Sequence, residues 1–168
     1  MKVYLAGPDV FVPDAVAHGE ALKAKCAAAG LVGVFPLDAG LDLSGLSKQD
    51  AAKKIYQANL AQIANCDVVL ANMTPFRGVN MDTGTAFEMG YGLALGKRVV
   101  GYTKDPALYL ERVQTNLPVT QDGDDQFWDG DGLLVEDFDL ADNLMMVCSV
   151  EAIFTTIDQA LAYLKNRL

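Results

Sequence analysis

Short β-branched apolar runs alternate along the chain with longer stretches whose apolar residues recur every three or four positions. This alternation predicts strand–helix–strand units around a parallel sheet. Val3 to Ala6 reads as the first strand. Ala15 to Ala29 follows as a helix ending at Gly30, and Leu31 to Leu37 as a second strand that stops near Pro36. Lys48 to Asn65 has helical spacing, with Ser47 suited to its N-cap and Asp50 to its first turn. Val68 to Ala71, opened by Asp67, is apolar at every position, as an inner parallel strand covered on both faces requires. After a loop from Asn72 to Asp82, Thr85 to Leu95 reads as a third helix closed by Gly96, Lys97 and Arg98, and Val99 to Thr103 as a fourth strand. The segment from Asp105 to Asp137 shows no period and reads as a long surface excursion. Leu140, Leu144 and Cys148, spaced by four, suggest another helix, followed by a short strand near Ile153 and a terminal helix from Thr156 to Asn166. The prediction is a single doubly wound, flavodoxin-like α/β domain over 1–168, with about five parallel strands and helices on both faces. Ligands of such sheets bind beyond the carboxyl ends of the strands, where strand order reverses. That points to the loops Gly7 to Pro13, Asn72 to Asp82, and Thr103 onward.

A chain of 168 residues can bury roughly 70% of its unfolded surface without help from a partner. The formal charge of −9, with acids crowded into 122–142, opposes the counterion-release term that drives binding to nucleic-acid polymers, and equally disfavours an anionic membrane. A small molecule is the expected partner. The three cysteines, Cys26, Cys66 and Cys148, cannot all pair and form no CxxC or Cys/His cluster, so buried thiols in a reducing cytosol are expected. Neither a secretory leader nor a membrane-spanning stretch is visible, and the expected location is cytoplasmic.

Chemistry concentrates in TPFRGVNMDTGTAFEMGYGLALGK. Asp82 precedes a helix, where a carboxylate caps free backbone N–H groups, and Glu88 lies beyond it among Phe87, Met89, Gly90, Tyr91 and Gly92. Such positions suit either a cap and a solvated helix residue or a pair of working acids. Glycines inside a helix cost about 1 kcal/mol each against alanine, so Gly90 and Gly92 serve either tight helix-on-sheet packing or close approach of a ligand. The stretch is not a phosphate loop, because Tyr91 stands where a Walker A motif has its first glycine, and Arg98 follows the lysine. AGPD after the first strand also lacks GxGxxG, so no nucleotide cofactor and no metal are expected. His18, the sole histidine, has no evident serine or cysteine partner for a triad. Paired carboxylates remain, and these act best at glycosidic carbons, where one attacks and another protonates the leaving group.

YLAGP at 4–8, CDVVLANMTPFRG at 66–78, DTGTAFEMGYGLALGK at 82–97 and DNLMM at 142–146 together resemble the nucleoside 2-deoxyribosyltransferases. The resemblance implies transfer of a 2-deoxyribosyl group between nucleobases, as in nucleotide salvage, through a covalent sugar–glutamate intermediate with the β-anomer retained. It makes Glu88 the nucleophile, Tyr4 its orienting hydroxyl, and Asp67 and Asp82 the acids that handle base and sugar. Crowding among these acids is expected to leave one aspartate protonated, while the helix N-terminus favours ionised Glu88. Substrate contacts are expected from Gly7, Pro8, Phe11, Arg77 and Gly84. The resemblance takes Asn143 and Met145 from a neighbouring subunit and so implies a homo-oligomer, a dimer or a dimer-based hexamer. From the residues alone, Tyr4 also suits a core aromatic, Asp67 a satisfied acid at a strand start, and Asn143 and Met145 ordinary helix positions. Some relatives use the terminal carboxylate in the site; here Leu168 follows an amphipathic helix, and that role is not carried over.

The runner-up is hydrolysis of 2′-deoxynucleoside 5′-monophosphates. It depends on serines around the phosphate, whereas this chain has Ser44, Ser47 and Ser149, none in the loops after strands one or three. Arg77 is the candidate phosphate contact for that reading. A non-enzymatic receiver domain would need an acidic pair after strand one and an aspartate at the end of strand three, where this chain has AGP and an Asp67 that begins its strand.

Overall fold

The computed structural model describes residues 1–167, so the terminal carboxylate at Leu168 lies outside the described residues. Five parallel strands make the sheet, β1 (Lys2–Ala6), β2 (Val32–Val34), β3 (Val68–Asn72), β4 (Arg98–Tyr102) and β7 (Ile153–Phe154), in the order β2-β1-β3-β4-β7. In register, Tyr4 lies beside Val34 on one side and Val69 on the other. The predicted doubly wound parallel sheet is therefore the observed one. Its order reverses at β1, from which the chain winds first to β2 and then to β3 and β4 on the other side.

Strand side chains alternate between two cores. Val3, Leu5, Val68, Leu70 and Val100 face α1 (Ala15–Ala28) and α6 (Ile157–Lys165) through Leu22, Cys26, Leu161 and Leu164. Tyr4, Ala6, Val69, Ala71 and Val99 face α2 (Lys48–Ala64) and α3 (Thr83–Ala94) through Ile63 and Met89. Gly92 answers one question raised by the sequence: a Cβ there would meet Val69 Cγ2 at 2.6 Å, so its absence lets α3 lie close on the sheet. Gly90 faces open space, and nothing in the packing explains it.

The acidic excursion is more ordered than expected. It holds α4 (Tyr109–Asn116) and an antiparallel hairpin of β5 (Val119–Gln121) and β6 (Phe127–Asp129). The helix expected around Leu140 to Cys148 contracts to α5 (Leu144–Val147), capped by Asn143. Cys26 and Cys66 are buried as expected, but Cys148 is exposed because α5 ends before it. Among the described residues no helix is long and apolar enough to cross a membrane.

Candidate active site

Beyond the carboxyl end of β1, between α2 and the start of α3, opens a cleft of about 600 Å³. Its walls are built by five segments. Gly7, Val10 and Phe11 come from the single turn after β1, Val16 from α1, Pro36 to Leu43 from the chain leaving β2, Ile55 and Asn59 from α2, and Asp82, Gly84 and Glu88 from the head of α3. The turn after β1 is compact because Gly7 has no side chain: a Cβ would come 2.5 Å from Asp9 Oδ2 and 2.8 Å from Asn72 Cβ.

Glu88 sits on the second turn of α3, partly buried. Its Oε1 accepts the Tyr4 hydroxyl at 2.6 Å and lies 3.4 Å from the Asn59 amide nitrogen, which also donates to it. Both bonds fall on Oε1, and among the described residues Oε2 takes no hydrogen bond. Burial pushes the Glu88 carboxyl up to about 7, against the Tyr4 and Asn59 bonds, and the negative charge of Asp82 adds to the rise. The sequence-based expectation is one aspartate pushed toward its protonated form and a Glu88 kept ionised by the helix N-terminus. In the structure the pKa of Glu88 itself is raised, because the helix field fades beyond the first turn while desolvation acts on the buried carboxyl. Tyr4 is wholly buried, and its hydroxyl is raised well above the usual phenol range by burial and by Glu88.

Asp82 both caps α3 and lines the cleft. Its Oδ2 accepts the Thr85 backbone N–H at 2.8 Å and the Thr85 hydroxyl at 2.9 Å. Asp82 and Glu88 thus line one cleft with Gly7, Phe11 and Gly84, and Tyr4 joins them through its bond to Glu88. Pro8 lies just behind Phe11, lining a smaller hollow on the far side of that ring. Phe11 stacks on Phe76, with centroids 5.3 Å apart, and the Arg77 guanidinium lies over both rings at 5.3 and 4.6 Å. Arg77 is exposed and has a left-handed backbone, φ 55.

Two expected groups are elsewhere. Asp67 is exposed at the amino end of β3, where it accepts the Lys2 backbone N–H at 2.7 Å. It stands at the opposite end of the sheet from the cleft, which corrects its assignment as a base-handling acid. Asn143 caps α5, with Oδ1 accepting the Met145 N–H at 3.0 Å and its amide nitrogen bonded to Glu136. Met145 is 71% exposed. Neither residue lines this chain's own cleft.

Asn59 was not foreseen. A signal for it exists: Ile55, Asn59 and Ile63 recur at four-residue spacing on α2, so an amide interrupts an apolar stripe. Asp9 was also missed; it bonds His18 Nε2 at 2.7 Å and the Asn72 amide at 2.8 Å, bracing the turn that presents Phe11.

The fold and cleft define an α/β protein whose site rests on carboxylates. The chain matches the family model described as nucleoside 2-deoxyribosyltransferase over residues 3–145. It is 33% identical over 155 residues to the uncharacterized protein C191.05c of Schizosaccharomyces pombe (strain 972 / ATCC 24843), covering 85% of this chain and 74% of that one. Among solved structures, it resembles a 2-desoxiribosyltransferase from Leishmania mexicana with a TM-score of 0.75 and 30% identity, over 98% of this chain and 97% of that one. A 2-deoxyribosyltransferase from the psychrotolerant bacterium Bacillus psychrosaccharolyticus shares the fold, with a TM-score of 0.53 and 21% identity over 74% of this chain and 89% of that one. The chain belongs to the nucleoside 2-deoxyribosyltransferase family.

Proposed function

We propose that this protein transfers the 2-deoxyribosyl group between nucleobases, with Glu88 as the nucleophile. The observation that carries the reading is the Glu88 carboxylate itself, held through Oε1 by Tyr4 and Asn59 at an apolar cleft, with Oε2 taking no hydrogen bond among the described residues. In the first step Oε2 attacks C1′ from the face opposite the base. The C1′–N bond breaks, its electron pair leaves with the base, and the base takes up a proton from water. In the second step the nitrogen of another base attacks C1′, the ester C–O bond breaks, the incoming base gives up its N–H proton to water, and the carboxylate is restored. Two inversions return the β-anomer. Asp82 is positioned to accept a hydrogen bond from a sugar hydroxyl. No cofactor takes part in this scheme.

The preference for nucleosides over nucleotides rests on charge. The charged groups lining the cleft are Asp82 and Glu88, both acids, so a 5′-phosphate would enter against repulsion with no lining cation to receive it. Apolar walls from Phe11, Leu37, Leu41, Leu43 and Ile55 favour an aromatic base over water as the group that resolves the ester. The hydrolytic reading draws on Arg77, an exposed guanidinium at the rim beside Phe11. The active unit in this proposal is a homo-oligomer in which Asn143 and Met145 serve a neighbour's cleft, the exposure of Met145 being the supporting observation.

The test is incubation with a 2′-deoxynucleoside and a different free base, following both nucleosides by chromatography and the protein by mass spectrometry after acid quench. Transfer gives the new nucleoside, and the quenched protein carries one deoxyribosyl unit on the peptide containing Glu88. Release of free deoxyribose without new nucleoside, or turnover of the 5′-monophosphate alone, would replace transfer with hydrolysis.

A further inference from the structure

Away from the cleft, an arginine and an aspartate lie buried together: Arg112 is 5% exposed and Asp142 is 2% exposed. Isolated charges at that depth are costly, so the bonds they make show what they hold. Arg112, on α4, donates to three backbone carbonyls from separate segments: Val79 at 2.6 Å, Ala107 at 3.1 Å, and Ala141. Its guanidinium also lies 3.7 Å from Asp142. Asp142 accepts the Met81 N–H at 3.0 Å, the Asn80 amide at 3.1 Å and the Asn143 N–H at 2.8 Å. Three of these contacts, at Val79, Asn80 and Met81, fall on the residues immediately before Asp82. The α3 cap and cleft wall at Asp82 are therefore suspended from a buried ion pair outside the cleft.

We infer that Asp142, held by Arg112, is a positioning residue of the active site: it fixes the backbone of 79–81 and thereby sets where the Asp82 carboxylate stands relative to Glu88. This inference rests on the reading of Glu88 and Asp82 as the working acids. The same Asp142 carboxylate binds the N–H of Asn143, so the segment proposed to serve a neighbouring subunit hangs from the same anchor. Asparagine in place of Asp142 would keep the shape but present an NH₂ to one of three donors, leaving that donor unpaired, and would remove the buried one of the two carboxylates beside Arg112, leaving the more exposed Asp105 at 3.7 Å. The loop would relax and Asp82 would move.

Placement, as distinct from general stability, has its own signature. The groups facing Glu88 are Tyr4 from β1, Asn59 from α2 and Asp82 from the head of α3, and of these Asp82 raises its pKa by charge. If Asp82 moves away, the acid limb of the kcat/KM profile shifts to lower pH. The experiment compares wild type, Asp142→Asn and Asn80→Ala as full chains. Asn80→Ala removes one donor from a half-buried loop residue and leaves the core intact, so it serves if Asp142→Asn does not fold. Hydrogen exchange over 79–86 is read beside the pH profile. Faster exchange at Met81 and Thr85 is expected in Asp142→Asn, with kcat/KM lower by tenfold to a hundredfold on the order expected for a misplacement of about 1 Å and the acid limb moved down. Asn80→Ala should show smaller changes of the same sign. Unchanged exchange in 79–86, or a loss of rate with the acid limb unmoved, would overturn the inference. A wild-type protein without transfer activity would instead remove the proposed function, while the exchange data would still report whether Asp142 holds the loop.

Discussion

Tyr4 and Glu88 are 84 positions apart and meet at 2.6 Å, the phenol donating from the middle of the sheet to a carboxylate on the helix that covers it. The bond stabilises the charged form of a carboxylate that burial pushes up to about 7 even with the bond in place. A hydrogen bond to a charged group contributes about 1.5–3 kcal/mol, equivalent to about one to two pH units. Tyr4→Phe should therefore move the acid limb of kcat/KM upward by about that amount, with a corresponding loss of rate at neutral pH. Steady-state kinetics across pH 5–9 would check it. A limb that stays in place would mean that the hydroxyl does not tune the nucleophile.

The raised Glu88 value also bears on stability. Unfolding returns this carboxyl from about 7 to its ordinary 4.5. Between these values the folded state binds the extra proton, so this group's contribution to stability falls as pH rises from 4.5 through 7 and stays low above. The cost at higher pH is about 3 kcal/mol by order of magnitude. Glu88→Gln keeps an oxygen for Tyr4 and removes the charge. It should abolish transfer and raise Tm at pH 8 by on the order of 5 °C, with little gain at pH 4.5. Scanning calorimetry at both pH values decides this, and equal effects at the two would show that the charge is not the source.

Discrimination between sugars follows from the attack geometry. Glu88 must approach C1′ from the α face, where a ribonucleoside carries its 2′-hydroxyl. That hydroxyl would crowd Oε2 or donate a hydrogen bond to it, weakening the nucleophile. 2′-Deoxyinosine should turn over at least about a hundredfold faster than inosine by kcat/KM, a difference of about 2.7 kcal/mol in transition-state stabilisation. Competition between the two nucleosides in one mixture measures the ratio directly, and a ratio near one would place the attacking group elsewhere.

The sheet was legible because each strand is a compact apolar run. The all-buried Val68–Asn72 strand sits at the centre of the order, and helix ends such as Ser47 and Asp82 carry their caps in sequence. The excursion was not legible, since the β5 and β6 strands have three residues each and their hairpin is held partly by a side-chain bond from Trp128 to Asp122. Arg112 was hidden inside it for the same reason. At the site, Glu88 stood out as an acid among apolar and small residues. Asp67 was assigned to the site from the matching motif alone although it opens β3, and a residue that opens a parallel strand lies at the end remote from the ligand. Asn59 required a view of α2 as a surface facing the cleft, where one amide among Ile55 and Ile63 becomes conspicuous.

Asn143 tests whether the site is shared between subunits. Within its own chain it caps α5 and is bonded to Glu136, so its loss has a local consequence as well as any effect on a neighbour. Replacing an N-cap asparagine by alanine costs about 1 kcal/mol, whereas serine retains the cap. Asn143→Ala and Asn143→Ser should therefore lose transfer activity alike if the amide acts across an interface, while Asn143→Ser keeps the wild-type Tm. Glu88→Ala loses activity in its own cleft. If each cleft combines Glu88 of one subunit with Asn143 of its neighbour, random mixing of Glu88→Ala with Asn143→Ser yields some clefts in which both residues are native. For a dimer this restores roughly a quarter of wild-type activity. The measurement is transfer activity before and after subunit exchange, with exchange verified by native mass spectrometry. Sedimentation showing a fully active monomer, or verified exchange without recovery, would confine the site to one chain and return Asn143 to its role as a helix cap.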